Sequence, residues 1–191
     1  YQAPHTAGKI LAGARYFLVD PAHEDVAARP GGLFVCFGGS DQNDLLMRFV
    51  PSLRAVARDC PVEIITGPVS ALRPADVPDA VVHTYLSPAA LAAGLKGARL
   101  ALTACGNMLF ERLIHATPGL SVAQFERQDR YGIEFERLGV TRHLGLGTKV
   151  DIAKLAGTVL TCYEDERSLT VQRTAAARID IHGGCRQIVA S

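Results

Sequence analysis

Ala101-Leu-Thr-Ala-Cys-Gly-Asn-Met-Leu-Phe-Glu111 is an apolar run that ends in small residues and one glycine, then passes straight into a helical pattern. Ala116-Thr-Pro-Gly-Leu120 opens the next apolar run. A buried strand that delivers the chain directly to a helix N-terminus makes an anion site, because the unpaired N–H groups and the helix dipole both favour negative charge. Glu111 lies one turn into that helix, where a carboxylate can accept from both hydroxyls of a ribose. This is the layout of a nucleotide-binding domain. The same spacing also fits an ordinary strand, turn and helix with a surface glutamate.

Working outward, the pattern is regular from Leu33 onward. Leu33-Phe-Val-Cys-Phe37 reads as a buried strand closed by Gly38-Gly39-Ser40-Asp41, with a helix from about Asn43 to Arg58 capped by Ser40 or Asp41 and interrupted by Pro51. Further strands are expected at Val62–Thr66, Ala80–Tyr85, Arg99–Thr103, Leu120–Ala123 and Arg142–Leu144. Helices are expected at Pro88–Lys96, Asn107–His115, Arg127–Leu138, Lys149–Leu160 and Asp165–Ile179, with a short amphipathic end at Cys185–Ala190. Strands alternating with helices at this spacing predict an α/β fold: a three-layer, Rossmann-like domain with a roughly six-stranded parallel sheet. Residues 1–30 read as a hinge or linker segment and 31–191 as the domain. Ligands of such sheets sit beyond the carboxyl ends of the strands, which directs attention to Gly38–Asn43, Leu86–Pro88, Ala104–Asn107 and Gln124–Gln128.

Composition narrows the function. The 191 residues suffice for one domain with a full core, and 48% hydrophobic with 20% charged residues is a globular balance. With 20 basic and 19 acidic side chains the net charge is +1, which offers no field for nucleic acid. No apolar stretch approaches the roughly 20 residues needed to span a bilayer, and no signal peptide opens the chain. The five cysteines are scattered, with no C-x-x-C, which points to reduced thiols and a cytoplasmic location.

The remaining chemistry-bearing residues are weighed the same way. Gly38-Gly39-Ser40 lets backbone amides approach an anion and adds a hydroxyl donor, yet it is neither G-x-G-x-x-G nor a Walker A loop, and a simple capping turn also explains it. No histidine pair has metal-ligand spacing on one helix face, so neither metal nor cofactor is expected. His83 lies in a strand and His115 at a helix end, where a positive charge would complement the dipole; His143 and His182 read as surface or loop groups. Cys105 is either a nucleophile at a strand end or, more simply, a thiol packed in a tight turn. No local signature assembles a Ser-His-Asp triad. Gln124-Phe-Glu-Arg-Gln128 suits sugar hydroxyls and phosphate, and suits an ordinary helix start equally well.

Taken in order, Gly38-Gly-Ser-Asp-x-Asn43, Gly106-x4-Glu111, Ala116-Thr-Pro-Gly-Leu120, the Gln128 region and Ile181-His-Gly-Gly-Cys-Arg-Gln-Ile188 resemble one family. This ordered set is similar to the C-terminal half of the UDP-sugar hydrolase of pseudaminic acid biosynthesis. More broadly, it resembles the nucleotide-binding half of GT-B glycosyltransferases such as the peptidoglycan N-acetylglucosaminyltransferase. The resemblance spans roughly residues 12–190, and Ala14-Arg-Tyr-Phe-Leu-Val-Asp-Pro21 is similar to the segment leading into that half. It implies a UDP-sugar ligand: Glu111 on the ribose, backbone at Leu86 to Pro88 on the uracil edge, Gly38, Gly39, Ser40, Gly106 and Asn107 facing the diphosphate, and Gln128 facing the sugar. It also implies a partner, an N-terminal domain that carries the catalytic histidine of the hydrolase and onto which no residue of this chain maps. Cys105, Asn107 and Met108 depart from the hydroxyl-rich stretch of the relatives. Three functional expectations follow: a donor-binding half of a UDP-sugar hydrolase, the same half in a glycosyltransferase, and a non-catalytic binding module.

Overall fold

The computed structural model describes residues 13–182 and 184–189. Residues 1–12 of the expected linker, Gly183, and Ala190 at the expected C-terminal end lie outside them.

Each apolar run forms a strand: β1 (Gly31–Cys36), β2 (Val62–Ile65), β3 (Val81–His83), β4 (Ala98–Ala104), β5 (Gly119–Ala123) and β6 (Arg142–Leu146). Between and after them lie α1 (Leu45–Ala57), α2 (Pro88–Gly97), α3 (Asn107–Ile114), α4 (Glu126–Arg137), α5 (Ile152–Glu164), α6 (Glu166–Ala176) and α7 (Gly184–Val189). All six strands are parallel, in the order β3-β2-β1-β4-β5-β6. The expected three-layer α/β architecture is therefore present.

Both faces of the sheet are covered, which is why β1, β4 and β5 read as continuous apolar runs rather than alternations. On one face Leu33, Val35, Leu100, Leu102, Leu120 and Val122 pack against α1 through Leu45, Phe49 and Leu53 and against α5 through Leu155 and Val159. On the other, Phe34, Cys36, Ile65 and Ala101 meet α2 through Leu95 and α3 through Met108. Leu109 and Leu113 of α3 join Phe135 of α4 and Ala176 of α6 in an adjoining cluster.

The departures from expectation occur at element ends. α1 begins at Leu45, not Asn43, because Asp44 takes a left-handed backbone (φ 48°) and Asn43 points away to donate to the Gln124 carbonyl. Asp41 still caps the helix from outside it, its buried Oδ2 accepting from Leu46 N–H at 2.7 Å. Pro51 lies within α1 without ending it. β3 is only three residues long, paired on one side to β2, with Thr84 and Tyr85 exposed beyond it. Lys149 belongs to a 3₁₀ turn (Gly147–Lys149), and α5 starts after Asp151, whose carboxylate accepts from Ala153 N–H at 3.0 Å.

Residues 13–30 carry two short 3₁₀ turns, Ala14–Tyr16, which packs against α7, and Pro21–His23, which packs against α2. Phe17 stacks on Phe110 with ring centroids 4.8 Å apart, and His23 Nδ1 meets His115 Nε2 at 2.9 Å.

Candidate functional site

Strand order reverses between β1 and β4: the chain leaves β1 towards β2 and returns past it to β4. The loops after these two strands diverge to opposite sides and open a crevice at the carboxyl edge of the sheet. A cleft of about 500 Å³ occupies that position. Of the residues singled out from the sequence, its walls bring together Gly38, Gly39 and Ser40 after β1, Leu86 between β3 and α2, Gly106 and Asn107 at the start of α3, Glu111 one turn into α3, and Gln128 in the first turn of α4, but not Asn43, Pro88 or Cys105.

The floor is built by α3. Gly106 is its N-cap and no side chain caps it; Leu109 N–H donates to the Gly106 carbonyl at 3.0 Å, and the amides of Asn107 and Met108 head the helix uncapped. Gly38 turns the chain out of β1 with a positive φ of 93°. The β2 end comes so close that a Cβ on Gly67 would lie 2.1 Å from the Gly39 carbonyl oxygen, so only glycine fits there. Among the described residues, none that lines the cleft is a lysine, arginine or histidine. Backbone amides and helix dipoles are thus a source of positive potential there.

Glu111 is the ionisable group of the floor. It is partly buried, and its Oε2 is out of contact with water and has no hydrogen-bond partner. Burial, and secondarily the charge of Asp20 on the 13–30 segment, push its pKa above the ordinary 4.5. An acceptor oxygen left without a donor is unfavourable unless a ligand supplies one.

The far wall is held by amides. Gln124, almost fully buried, donates from Nε2 to the Phe37 carbonyl at 2.7 Å, and its carbonyl accepts from Asn43. Gln128 Oε1 accepts from Gln124 N–H at 3.0 Å. This places the Gln128 amide above Gly106, where a Cβ would sit 3.1 Å from Nε2. These contacts stitch the β1–α1 loop to the β5–α4 loop across the switch point.

The sequence did not single out Thr66, Gly67, Thr84, Tyr85 or Phe125, which also line the cleft. Tyr85 is 74% and Phe125 43% exposed, so two aromatic rings stand at the rim. Their positions in loops after β3 and β5 were the available signal, and nothing in their local pattern separates a rim aromatic from a core one.

No protein-family model and no curated protein matches the sequence. Solved structures do match. The glycotransferase of kitacinnamycin is 19% identical, with a TM-score of 0.68 over 91% of this chain and 46% of its own. Acinetobacter baumannii MurG is 14% identical, with a TM-score of 0.62 over 97% of this chain and 56% of its own. The spinosyn rhamnosyltransferase complexed with thymidine diphosphate is 16% identical, with a TM-score of 0.61 over 87% and 47%. The fold is that of one half of a GT-B glycosyltransferase. The chain spans about half the length of these structures.

Within this fold, two sequence expectations are corrected. His143 is not a surface group: its side chain is 4% exposed, enclosed between β6 and α4. His115 does not complement the α3 dipole with a charge. Burial first, then the neighbouring charges of His23, Lys96 and His182, push its pKa down to about 4, so it is neutral at pH 7. A Ser-His-Asp string does exist, with Ser121 Oγ 3.1 Å from His143 Nδ1 and His143 Nε2 2.9 Å from Asp129 Oδ1. It has no access to substrate, because Ser121 is fully buried. Cys105, 3.6 Å from the same nitrogen, is equally buried, and burial drives its pKa up to about 11, so it is the packed thiol and not a nucleophile.

Among the described residues, no cluster of His, Cys, Asp or Glu is arranged to hold a metal ion, and no helix is long and apolar enough to cross a membrane.

Proposed function

We propose that this chain binds a nucleoside-diphosphate sugar, a UDP-sugar, as the donor-binding half of a GT-B-type enzyme. The observation that carries the reading is Glu111: a carboxylate with an orphaned acceptor oxygen, on the floor of a switch-point cleft, one turn beyond an uncapped helix N-terminus. A ribose diol supplies the missing donors, while the adjacent amides suit a diphosphate. In this reading Glu111 holds the ribose. Gly38, Gly39, Ser40, Gly106 and Asn107 face the diphosphate, backbone at Leu86 to Pro88 meets the uracil edge, and Gln128 faces the sugar.

The acceptor is water in the finer form of the reading, a UDP-sugar hydrolase like that of pseudaminic acid biosynthesis. Transfer to an acceptor hydroxyl is the second form, supported by two of the structural neighbours being named as transferases. Either reaction needs a second wall over the cleft to exclude water and carry a general base, and a facing domain is the partner we assign to that role.

Calorimetric titration of UDP into the wild-type chain and Glu111→Gln tests the reading. Charge-assisted bonds to a desolvated diol are worth about 1.5–3 kcal/mol. UDP is therefore expected to bind the isolated chain weakly and Glu111→Gln to weaken it about tenfold or more. Equal affinities remove Glu111 from the site. Absence of binding by both UDP and thymidine diphosphate leaves a non-catalytic module.

A further inference from the structure

His143 lies outside the cleft, yet it is bonded to residues flanking two of its walls. The parallel register aligns Cys36, Thr103, Ser121 and His143 in one row across β1, β4, β5 and β6. From the end of that row the His143 ring reaches Ser121 Oγ at 3.1 Å, the Ser121 carbonyl at 3.2 Å and Cys105 Sγ at 3.6 Å through Nδ1, and Asp129 Oδ1 at 2.9 Å through Nε2. Cys105 immediately precedes Gly106, and Asp129 immediately follows Gln128. Helix α4 rests directly on the ring. A Cβ on Gly132 would lie 2.2 Å from His143 Cε1, and Glu136 Oε1 accepts from the His143 backbone N–H at 2.9 Å. Three turns of α4 thus close on one imidazole that no catalytic role uses.

We propose that His143 is a positioning residue for the donor site, resting on the donor-binding reading above. Its Nε2–H donates to Asp129, and its Nδ1 meets Ser121 at both the hydroxyl and the backbone carbonyl. This bridge fixes the first turn of α4 relative to the β4–α3 turn, and so holds the Gln128 amide over Gly106. Its effect falls on the part of the ligand that meets Gln128, the sugar, more than on the nucleotide.

Two arms test this. In the first, ¹⁵N spectra are recorded without ligand for the wild type, Asp129→Asn and Ser121→Ala. Thr141→Val serves as control, since it removes a different buried bond between β6 and β5 (Thr141 Oγ1 to the Gly119 carbonyl, 3.0 Å). The proposal expects the wild-type His143 ring to carry a proton on Nε2, shared with Asp129. It also expects the Gly106 amide and the Gln128 side-chain amide to shift together in Asp129→Asn and Ser121→Ala, but not in Thr141→Val. A ring bare on Nε2, or equal shifts in the control, overturns it. In the second arm, UDP and UDP-N-acetylglucosamine are titrated into the same proteins. Asp129→Asn should weaken the nucleotide-sugar about fivefold more than UDP. Equal weakening of both overturns the proposal. If the wild type binds neither, the donor reading fails on its own terms and the spectra still decide the role of His143.

Discussion

Glu111 must work ionised in a place that favours its neutral form. Burial and the Asp20 charge raise its pKa, so its acceptor capacity is lost on acidification at a higher pH than for an ordinary glutamate. UDP affinity is accordingly expected to be flat near neutrality and to fall as pH drops towards that raised pKa, while Glu111→Gln shows no such fall; calorimetry across pH reads the difference. The stability sign is opposite to that of a salt-bridged carboxylate. A raised folded pKa means the native state binds its proton first, so ionisation destabilises the fold as pH rises through that range. At pH 7 Glu111→Gln should therefore be at least as stable as wild type while binding worse. Function and stability separating at one side chain is the pattern of a site residue.

At the scale of elements, the cleft depends on how closely two turns approach. Gly67 has the Gly39 carbonyl where a Cβ would be, and neither side is a flexible side chain that can move away. Gly67→Ala should cost about 1–3 kcal/mol by overpacking and weaken UDP binding, because the displaced loop is Gly38–Ser40; denaturant melts and titration check the pair. Asp41→Ala should cost about 1–2 kcal/mol, since it strips the buried acceptor from the first turn of α1. The turns after β1 and β4 were legible in the sequence because long apolar runs end there in glycine and small residues, a signal set by local chemistry. Their gathering into one cleft followed from strand alternation. Element ends were less legible: α1 starts late because Asn43 is recruited by Gln124, 81 residues away. His143 was misread for the same reason. Its enclosure is imposed by Asp129, Gly132 and Glu136, so nothing beside it in the chain marks it as buried.

For the whole molecule, the 13–30 segment is fastened along α3 by a neutral histidine pair, His23 and His115, and this shapes stability against acid. Both pKa values are pushed down, chiefly by burial, and that of His115 reaches about 4. Below about 6.5 the unfolded chain binds protons that the folded pair refuses, so stability falls as pH drops from 6.5 towards 4. Asp41 and Glu111 act in the opposite sense, their folded states taking up protons before the unfolded chain does. Comparing the wild type with a variant at His115 isolates the histidine contribution from theirs. His115→Gln keeps a hydrogen-bonding group facing His23 and removes the titration. Between pH 7 and pH 4.5 the wild type should lose on the order of 1–2 kcal/mol more than this variant, after allowance for solvent screening. Thermal melts of both proteins across that range provide the check. Parallel curves would mean that His115 takes up its proton as readily in the fold as in the unfolded chain, which its enclosure against His23 argues against.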